Sequence, residues 1–429
     1  MKHNLPPMPL IEALACRPQS RIKHAFVTWG TVLTTLFLVS CSKPPVDSAE
    51  PAALPEVDTY SSGNLTDFGE LRLNAVAAKM LSGQYTSHVI QLGDSHTAAD
   101  FFTGALRTAL QERYGDAGPG WVPPAWIRGQ RSAALKLFEV AADQWQLTSS
   151  RLEQHANFPP GGFVLEPLRQ GSRLQLAQYA SDKQIFNVRA LYSSPIPAPV
   201  RLNGQFVSWP VSSWNRWQWS AAQQVQLPLE LEVLTKGYPQ LGGWLLDNGQ
   251  SGVLLSSLGM NGATIEMLDK WGEHWQAPLH SLQPDLILLS YGTNEAFNDA
   301  LDTPAYYANL TRQIQQLRLK QPQAAVLIIG APDVIKHAHA SSCQAQRPLQ
   351  LNQVQRIQRK VAREQHTLFW DWQALMGGAC SFSAWQAQGL AQKDGVHFTA
   401  EGYTVSADGL FQDLKQQLES LKLPVLHNL

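Results

Sequence analysis

A strand that runs straight into a helix is encoded by residues 88–113, HVIQLGDSHTAADFFTGALRTALQER. His88–Leu92 is a short apolar run that predicts a buried strand ending at Gly93. Over 97–113 the apolar residues recur on one side of a helix. A strand followed directly by a helix is the first half of a strand–helix–strand unit, so this stretch predicts a parallel sheet covered by helices.

The same alternation resumes after residue 250. Continuous apolar stretches predict further strands at Val253–Leu258, Asp285–Ser290, Ala325–Ile329 and Leu368–Trp370. Helical patterns between and after them cover Thr264–Trp275, a segment N-capped by Thr303, Leu351–Arg363 and Leu410–Leu421. We therefore predict the α/β class, with a doubly wound, flavodoxin-like parallel sheet.

Residues 121–250 interrupt this pattern. Short alternating stretches there predict strands at Arg173–Leu176, Phe186–Leu191, Val200–Leu202, Phe206–Trp209 and Val225–Val233. Such spacing, punctuated by Pro, Gly and Asn, is typical of an all-β sandwich. We expect a sandwich domain at 121–250, inserted between two parts of the α/β domain at 67–120 and 251–424.

The N-terminal segment has the pattern of an export signal. Basic residues precede the apolar run Ala25–Ser40, which is too short and wrongly flanked for a stable membrane span. The run ends in a sequence that resembles a bacterial lipobox, so residues 1–40 are predicted to be a signal peptide and Cys41 to carry lipid. An uncleaved anchor or a buried Cys41 remains the alternative. Residues 41–66, rich in Pro and Ala up to residue 58, are expected to form a tether.

Charge and cysteine content narrow the class of protein. The net charge of −1 implies neither a polybasic surface nor nucleic-acid binding. Outside the cytoplasm a lone cysteine pair tends to oxidise, so we predict a Cys343–Cys380 disulfide. His337 and His339 near Cys343 leave a metal site open, but their spacing matches no four-ligand zinc pattern. We therefore predict no metal and no cofactor.

Two segments together predict a nucleophile and its base. In Gly93–His96, Ser95 lies between a strand and a helix, in a sharp turn that points its hydroxyl outward. In the last loop Asp394 stands three residues before His397, so its carboxylate can hold one ring nitrogen while the other faces a nucleophile. Because sites on parallel sheets lie beyond the carboxyl ends of the strands, we predict a Ser95–His397–Asp394 triad.

Two further residues after strands are candidates for binding an oxyanion. Gly262 follows the second strand, where a glycine lets the backbone turn an N–H group inward. Asn294 follows the third strand, and its side-chain amide can donate to a developing negative charge. With the backbone N–H of Ser95, these groups form the predicted oxyanion hole.

The ordered set Ser95, Gly262, Asn294 and His397 resembles the SGNH, or GDSL, hydrolase superfamily. The resemblance covers roughly residues 87–120 and 250–420, and it implies a serine hydrolase that needs no cofactor. One departure is Glu295, which follows Asn294 where family members often carry Asp. The asparagine is the catalytic group, so this departure leaves its role intact.

A narrower resemblance comes from residues 95–103, SHTAADFFT, together with Gly118–Trp121. These stretches look like those of peptidoglycan O-acetylesterases of Gram-negative bacteria. That resemblance implies a carbohydrate-binding-module-like insertion, glycan strands of peptidoglycan as partner, and removal of acetyl from the C6 hydroxyl of N-acetylmuramic acid. By similarity to Gram-negative lipoproteins, Ser42 after Cys41 favours a periplasmic protein with a lipid anchor in the outer membrane.

Aromatic residues in the insertion are candidates for sugar binding. Trp214, Trp217 and Trp219 cluster in a predicted loop with polar neighbours, and flat aromatic faces suit sugar rings. A place in the sandwich core is the alternative. His96, which is not the catalytic base in the family motif, is expected to pack beside the site or to line it for substrate binding.

Three rival functions remain open from the sequence. The same triad could serve a broad-specificity carboxylesterase or thioesterase, and transfer to a sugar hydroxyl in place of water would give an O-acetyltransferase. A non-catalytic cell-wall-binding lipoprotein is the third. The intact Ser95, Asn294, Asp394 and His397 disfavour it, because a protein without catalysis has no physical need for all four.

Overall fold

The structure of the chain is a computed structural model that describes residues 60–421, except 154–156, 180–183, 214–215 and 273. The predicted signal peptide at 1–40, the predicted lipidation site Cys41 and the candidate sugar-binding residue Trp214 lie outside the described residues.

The strands are numbered in chain order. They are β1 (Tyr60–Ser62), β2 (Leu65–Asp67), β3 (Thr86–Gly93), β4 (Gly120–Val122), β5 (Leu135–Leu137), β6 (Trp145–Ser149), β7 (Phe163–Pro167), β8 (Ser172–Gln178), β9 (Ile185–Ser193), β10 (Ala198–Leu202), β11 (Gln205–Trp209), β12 (Gln218–Trp219), β13 (Gln223–Gln226), β14 (Leu229–Val233), β15 (Gln240–Asp247), β16 (Gly252–Gly259), β17 (Leu286–Ser290), β18 (Ala325–Ile329) and β19 (Leu368–Trp370).

The α-helices are numbered in the same way, and a 3₁₀ helix at Ile265–Lys270 lies between α3 and α4. They are α1 (Leu73–Ser82), α2 (Ser95–Ala98), α3 (Phe102–Tyr114), α4 (Gln276–His280), α5 (Thr293–Phe297), α6 (Thr303–Lys320), α7 (Cys343–Gln346), α8 (Leu351–Glu364), α9 (Trp372–Leu375), α10 (Phe382–Ala387) and α11 (Ala400–Ser420).

The main sheet has the order β1-β2-β19-β18-β17-β3-β16. The five strands from β16 to β19 are parallel. Numbered by their order along the chain and read across the sheet from β16, they have the order 2-1-3-4-5. This is the flavodoxin-like order, whose switch point lies between its first and third strands, β3 and β17. The predicted α/β fold with a doubly wound parallel sheet is confirmed.

Burial on both faces explains why these strands are continuous aliphatic runs. Every residue of β17 and β18 is buried. One group of helices, α1, α3 and α11, packs together, and a second group contains α5, α6 and α8. Strands covered on both sides cannot alternate polar and apolar residues, so their sequences stay apolar throughout.

The helix predicted over 97–113 is broken in two. Asp100 has φ +48°, and it separates α2 from α3. Its carboxylate accepts from the backbone N–H of Ala133 at 2.6 Å and pairs with buried Arg107 at 3.1 Å. These tertiary bonds favour a conformation that helical periodicity alone does not encode.

Two boundaries predicted from the sequence were wrong. Residues 60–66, which we assigned to the tether, form most of an antiparallel strand pair at the edge of the main sheet, where β2 pairs with β19. The N-cap of α6 is Asp302, because its carboxylate accepts from the N–H of Ala305 at 3.0 Å, and Thr303 is the first helical residue.

The insertion consists of two antiparallel sheets. One has the order β11-β10-β14-β8-β5, and the other has the order β12-β9-β15-β7-β6, with β13 paired to β9 and β4 paired to β15. In β14, Leu229, Leu231 and Val233 are fully buried, while Glu230 and Glu232 point outward. The stretch predicted as one strand at Val225–Val233 is two strands in different sheets, since Pro228 cannot donate a ladder hydrogen bond.

The sandwich and the α/β part lie within one compact unit. Trp121 of β4 donates its backbone N–H to Ser256 Oγ of β16 at 2.9 Å and belongs to the main-sheet core. Among the helices of the described residues, none is both long enough and apolar enough to span a bilayer.

Candidate active site

Ser95 is the first residue of α2, directly beyond the end of β3. Asp94 caps this helix, and its Oδ1 accepts from the N–H of His96 at 3.0 Å. A Cβ at Gly93 would lie 2.1 Å from Thr97 Oγ1, so only glycine permits this close turn. The turn leaves Ser95 half-buried at the carboxyl edge of the sheet.

The three residues of the predicted triad meet at this edge. His397 Nε2 lies 3.0 Å from Ser95 Oγ, and His397 Nδ1 lies 2.7 Å from Asp394 Oδ2. An ionised carboxylate only accepts hydrogen bonds, so the proton belongs on Nδ1, and Nε2 accepts from the serine hydroxyl. This arrangement lets the imidazole take a proton from the serine.

Asp394 is held as a carboxylate by its own loop. Partial burial alone would raise its pKa, but the N–H groups of His397 and Val396 donate to Oδ1, each at 2.9 Å, and the His397 ring donates to Oδ2. The net result is a pKa below the usual aspartate value. Asp394 therefore remains charged and orients the ring.

Gly262 and Asn294 lie in the same pocket as Ser95 and His397, with a volume of about 580 Å³. Gly262 has φ +70°, a conformation that L side chains rarely adopt. Asn294 Nδ2 donates to the Ala263 carbonyl at 2.9 Å and lies 3.4 Å from Asp94 Oδ2. The volume is within the range of small-molecule sites, so the pocket accommodates more than an acetyl group.

Glu295 joins the two segments that carry Gly262 and Asn294. Its Oε1 accepts from the N–H of Ile265 at 2.8 Å, and its Oε2 accepts from the N–H of Gly292 at 2.9 Å. Burial raises its pKa to about 7, against the lowering effect of these bonds. The sequence marked Glu295 only as a departure from a family pattern, and the structure gives it a positioning role.

Asp94 is a second buried carboxyl group behind the site. It is 1% exposed, and burial raises its pKa to about 8, with the nearby Glu295 charge adding to the rise. At neutral pH the protonated form of Asp94 is therefore favoured. Its side chain links the helix that begins at Ser95 to the side-chain amide of Asn294.

His96 packs beside the site, which is the first of its two predicted places, and it does not line the pocket. It is 2% exposed, and its Nδ1 is hydrogen-bonded to Tyr403 OH at 2.9 Å. Its ring packs between Trp372 and the ring of His397, whose centroid is 5.5 Å away. Burial lowers its pKa to about 3, so it is a neutral packing residue behind the base.

Of the tryptophans considered for sugar stacking, Trp217 is buried in the core, Trp219 is half-buried, and neither lines the active-site pocket. Trp217 is 6% exposed, lies in the main core with Trp271, and donates its Nε1–H to the Asn157 carbonyl. Trp219 packs against the same core and donates to the Pro278 carbonyl at 2.9 Å. Both indoles brace the insertion against the α/β part, so a sugar cannot stack on Trp217.

The insertion contributes pocket residues that the sequence analysis missed. Gly129 and Arg151 from the insertion line the pocket, together with Asn261 from the loop after β16. A Cβ built on Gly262 would lie 3.2 Å from Arg151 Cζ, so the guanidinium lies directly next to Gly262. A lone Arg in a loop has no sequence signal, because only the packing of the sandwich brings it to the site.

A disulfide supports the loop that carries the base. Cys343 and Cys380 are bonded, with their Cα atoms 5.5 Å apart. The chain before Cys343 includes Ile335, whose N–H donates to the Gly395 carbonyl at 2.7 Å. In the described ranges no group of His, Cys, Asp or Glu residues is arranged to hold a metal ion.

Comparisons with known proteins match both parts of the chain. Residues 117–230 match the family described as peptidoglycan O-acetylesterase, N-terminal, and residues 230–405 match the GDSL-like lipase/acylhydrolase family. Ser95 precedes both stretches, so its assignment depends on geometry. No curated protein gave a significant match.

One solved structure supports the same assignment, and two others are reported only as weaker similarities. A structure of a peptidoglycan O-acetylesterase is 36% identical and covers 84% of this chain and 100% of that chain, with a TM-score of 0.75. A lipase/acylhydrolase from Enterococcus faecalis is 18% identical over 41% of this chain and 81% of that chain, with a TM-score of 0.31. An acetyl xylan esterase is also 18% identical, over 38% of this chain and 81% of that chain, with a TM-score of 0.31. The chain is a GDSL-type serine hydrolase and belongs to the peptidoglycan O-acetylesterase family.

Proposed function

We propose that this enzyme removes O-acetyl groups from the C6 hydroxyl of N-acetylmuramic acid in peptidoglycan, through an acetyl-Ser95 intermediate. The observation that carries the proposal is the unbroken chain Ser95 Oγ, His397 and Asp394, with contacts of 3.0 and 2.7 Å beside Gly262 and Asn294. The family match supplies the substrate class.

The first half of the reaction acylates the serine. His397 Nε2 takes the proton of Ser95 Oγ as the oxygen attacks the acetyl carbonyl. Asp394 fixes the tautomer and stabilises the imidazolium that forms. The tetrahedral intermediate then collapses, and the sugar oxygen leaves with the proton from His397.

The oxyanion is stabilised by the backbone N–H groups of Ser95 and Gly262 and by Asn294 Nδ2. Asn294 Nδ2 donates to the Ala263 carbonyl at 2.9 Å and makes a longer contact with Asp94 Oδ2 at 3.4 Å, so the hydrogen in the longer contact is the one that turns to the substrate. Removing one such donor costs about 3 kcal/mol of transition-state stabilisation. Water activated by His397 hydrolyses acetyl-Ser95 in the second half.

The insertion belongs to the substrate site in this proposal. Gly129 and Arg151 come from the domain we place at 121–250, and they form one wall of the pocket. Strand β15 supports a boundary near 250, because it pairs with β4, β7 and β9 of the sandwich. The α/β parts proposed at 67–120 and 251–424 are extended at the N-terminal end by β1 and β2.

An enzyme that acts on peptidoglycan works in the cell envelope. We place this one in the periplasm, with lipid on Cys41 as an anchor, because residues 25–41 have the pattern of a lipoprotein signal. Metabolic labelling with an alkyne fatty acid, in wild type and in Cys41→Ala, tests the anchor. Equal labelling of both would refute it.

The test of the activity is acetate release from O-acetylated peptidoglycan. Wild type should release acetate from native peptidoglycan and none from base-treated peptidoglycan, whose esters are already cleaved. Ser95→Ala should release none while keeping the wild-type thermal midpoint. A comparison of acetate with butyrate esters separates this function from a broad carboxylesterase, and activity confined to aryl esters would refute the substrate assignment.

A further inference from the structure

A second pocket adjoins the active-site pocket, and we call it the side pocket. It has a volume of about 260 Å³, and its lining includes Ile127, Arg128, Gln130, Leu147, Arg151 and Asn261. Arg151 and Asn261 line both pockets. The two pockets are therefore adjacent, so one molecule can occupy both.

A hydrogen bond joins two of the segments that line the pockets. Asn261 Nδ2 donates to the Gly129 carbonyl at 2.7 Å. Gly129 faces the active-site pocket, while its neighbours Arg128 and Gln130 line the side pocket. A Cβ at Gly129 would lie 2.2 Å from Asn261 Nδ2, so glycine allows this close approach.

The side pocket has positive charge without a partner. Among the described residues, neither Arg128 nor Arg151 has an ion pair or a side-chain hydrogen bond, and no Asp or Glu lines either pocket. By contrast, nearby Arg131 stacks on Phe101 at 4.1 Å, and Arg107 pairs with Asp100. Two free guanidinium groups on one small pocket favour a carboxylate, which they can bind by paired hydrogen bonds.

We propose that the side pocket binds a carboxylate on the substituent at the C3 oxygen of the acetylated sugar, with Arg151 and Arg128 as donors. The inference rests on the proposed function. N-Acetylmuramic acid carries a lactyl group there, which ends in a carboxylate or continues into a peptide with carboxylates of its own. N-Acetylglucosamine has only a hydroxyl at that position.

The position of Arg151 turns this contact into a selection for muramic acid. Its guanidinium lies next to Gly262, within 3.2 Å of where a Cβ would be. A carboxylate held by Arg151 therefore lies at a fixed place relative to the ester carbonyl, which orients the acetyl group for attack. A sugar without that carboxylate binds with less restraint.

Three synthetic methyl glycosides, all with acetate on the C6 oxygen, test the proposal. The first is N-acetylmuramic acid, the second is N-acetylglucosamine, and the third is N-acetylmuramic acid with its lactyl group amide-linked to a dipeptide that ends in a carboxylate. Wild type should cleave the first or the third with a kcat/KM at least about tenfold above that of the second. The better of the two identifies the lactyl or the peptide carboxylate as the ligand.

The variants are Arg151→Gln and Arg128→Gln, with Arg356→Gln as the matched control. Arg356 is an exposed arginine of α8 outside both pockets, so its replacement makes the same change in net charge. We expect Arg151→Gln to lower the ratio of anionic to neutral kcat/KM by about tenfold to a hundredfold, and Arg128→Gln to lower it less. Arg151→Lys should restore part of the ratio, because lysine keeps the charge but loses the paired donors.

The outcomes are distinct. No preference in wild type, a ratio unchanged in both pocket variants, or an equal fall in Arg356→Gln would overturn the inference while leaving the esterase intact. Loss of acetate release from all three glycosides, with aryl acetate still cleaved by Ser95, would overturn the proposed function and this inference together. Since both arginines are exposed, the wild-type preference should also weaken as salt is raised.

Discussion

Replacement of Glu295 by glutamine tests whether one side chain holds the two oxyanion segments together. The carboxylate accepts from the N–H groups of Ile265 and Gly292 at 2.8 and 2.9 Å, in a site where Glu295 is 3% exposed. Glutamine keeps one acceptor oxygen but turns an NH₂ group toward the other N–H. A buried N–H left without an acceptor costs about 1–3 kcal/mol. We therefore expect a loss of about 2 kcal/mol in the free energy of unfolding.

The rate should fall as well, because Gly262 and Asn294 are positioned through this bridge. We expect kcat for an aryl acetate to fall about tenfold, less than the roughly hundredfold loss on removing a donor outright. Glu295→Asp, one methylene shorter, reaches only one of the two N–H groups and should give an intermediate loss. Urea unfolding followed by tryptophan fluorescence, alongside aryl acetate kinetics, measures both effects.

The matched control is Glu266→Gln, an exposed acid on the 3₁₀ helix that begins at Ile265. It should leave the urea midpoint and kcat at their wild-type values. The reasoning is refuted if Glu295→Gln has wild-type stability and rate, or if Glu266→Gln loses as much.

Three further predictions follow from buried groups and the disulfide. Trp217→Ala should lower stability by about 3–5 kcal/mol and leave KM for an acetylated sugar unchanged, whereas a stacking role would raise that KM. The double variant Cys343→Ser/Cys380→Ser should lose about 4 kcal/mol of stability, because the disulfide closes a loop with a sequence separation of 37 residues. It should also lose activity, because the Ile335–Gly395 contact next to His397 would be less well held. An unchanged thermal midpoint and an unchanged kcat would contradict this prediction. The thermal midpoint should fall as the pH is raised from about 6.5 to 8. Burial raises the pKa values of Asp94 and Glu295 from 3.8 and 4.5 to about 8 and 7, so the folded protein binds protons that the unfolded chain has already released, and this stabilisation is lost over that range. Below pH 6.5 the lowered pKa values of His88 and His96 have the opposite effect on stability. The double variant Asp94→Asn/Glu295→Gln should flatten the decline in the midpoint. A wild-type midpoint that rises from pH 6.5 to 8 would refute the assignment of the decline to these two carboxyl groups.

The parallel sheet could be predicted because its central strands are covered by other residues on both faces, which requires continuous apolar sequences. β17 and β18 are aliphatic at nearly every position, and burial on both faces requires that. Ser95 and Asn294 follow the two strands at the switch point, β3 and β17, so the order of the strands places them side by side. Strand order and motif position thus carry most of the information about the site.

What the sequence did not predict depends on contacts between distant segments. The break at Asp100 is fixed by Ala133 and Arg107, and the helical pattern continues through it. Trp217 lies in a polar loop sequence yet is buried, because the loop packs on the α/β part. Arg151 reaches the oxyanion glycine only through the docking of the sandwich, which no local pattern records.

The central claim is that Ser95 is the nucleophile. Its hydroxyl oxygen is activated by His397 and becomes acylated. Labelling with a fluorophosphonate, followed by peptide mapping, tests it most directly, because this reagent reacts with an activated serine hydroxyl. We predict one label per chain, on Ser95, with loss of esterase activity, and no label in His397→Ala over the same time. A label on another residue, or full activity in Ser95→Ala, would contradict the account.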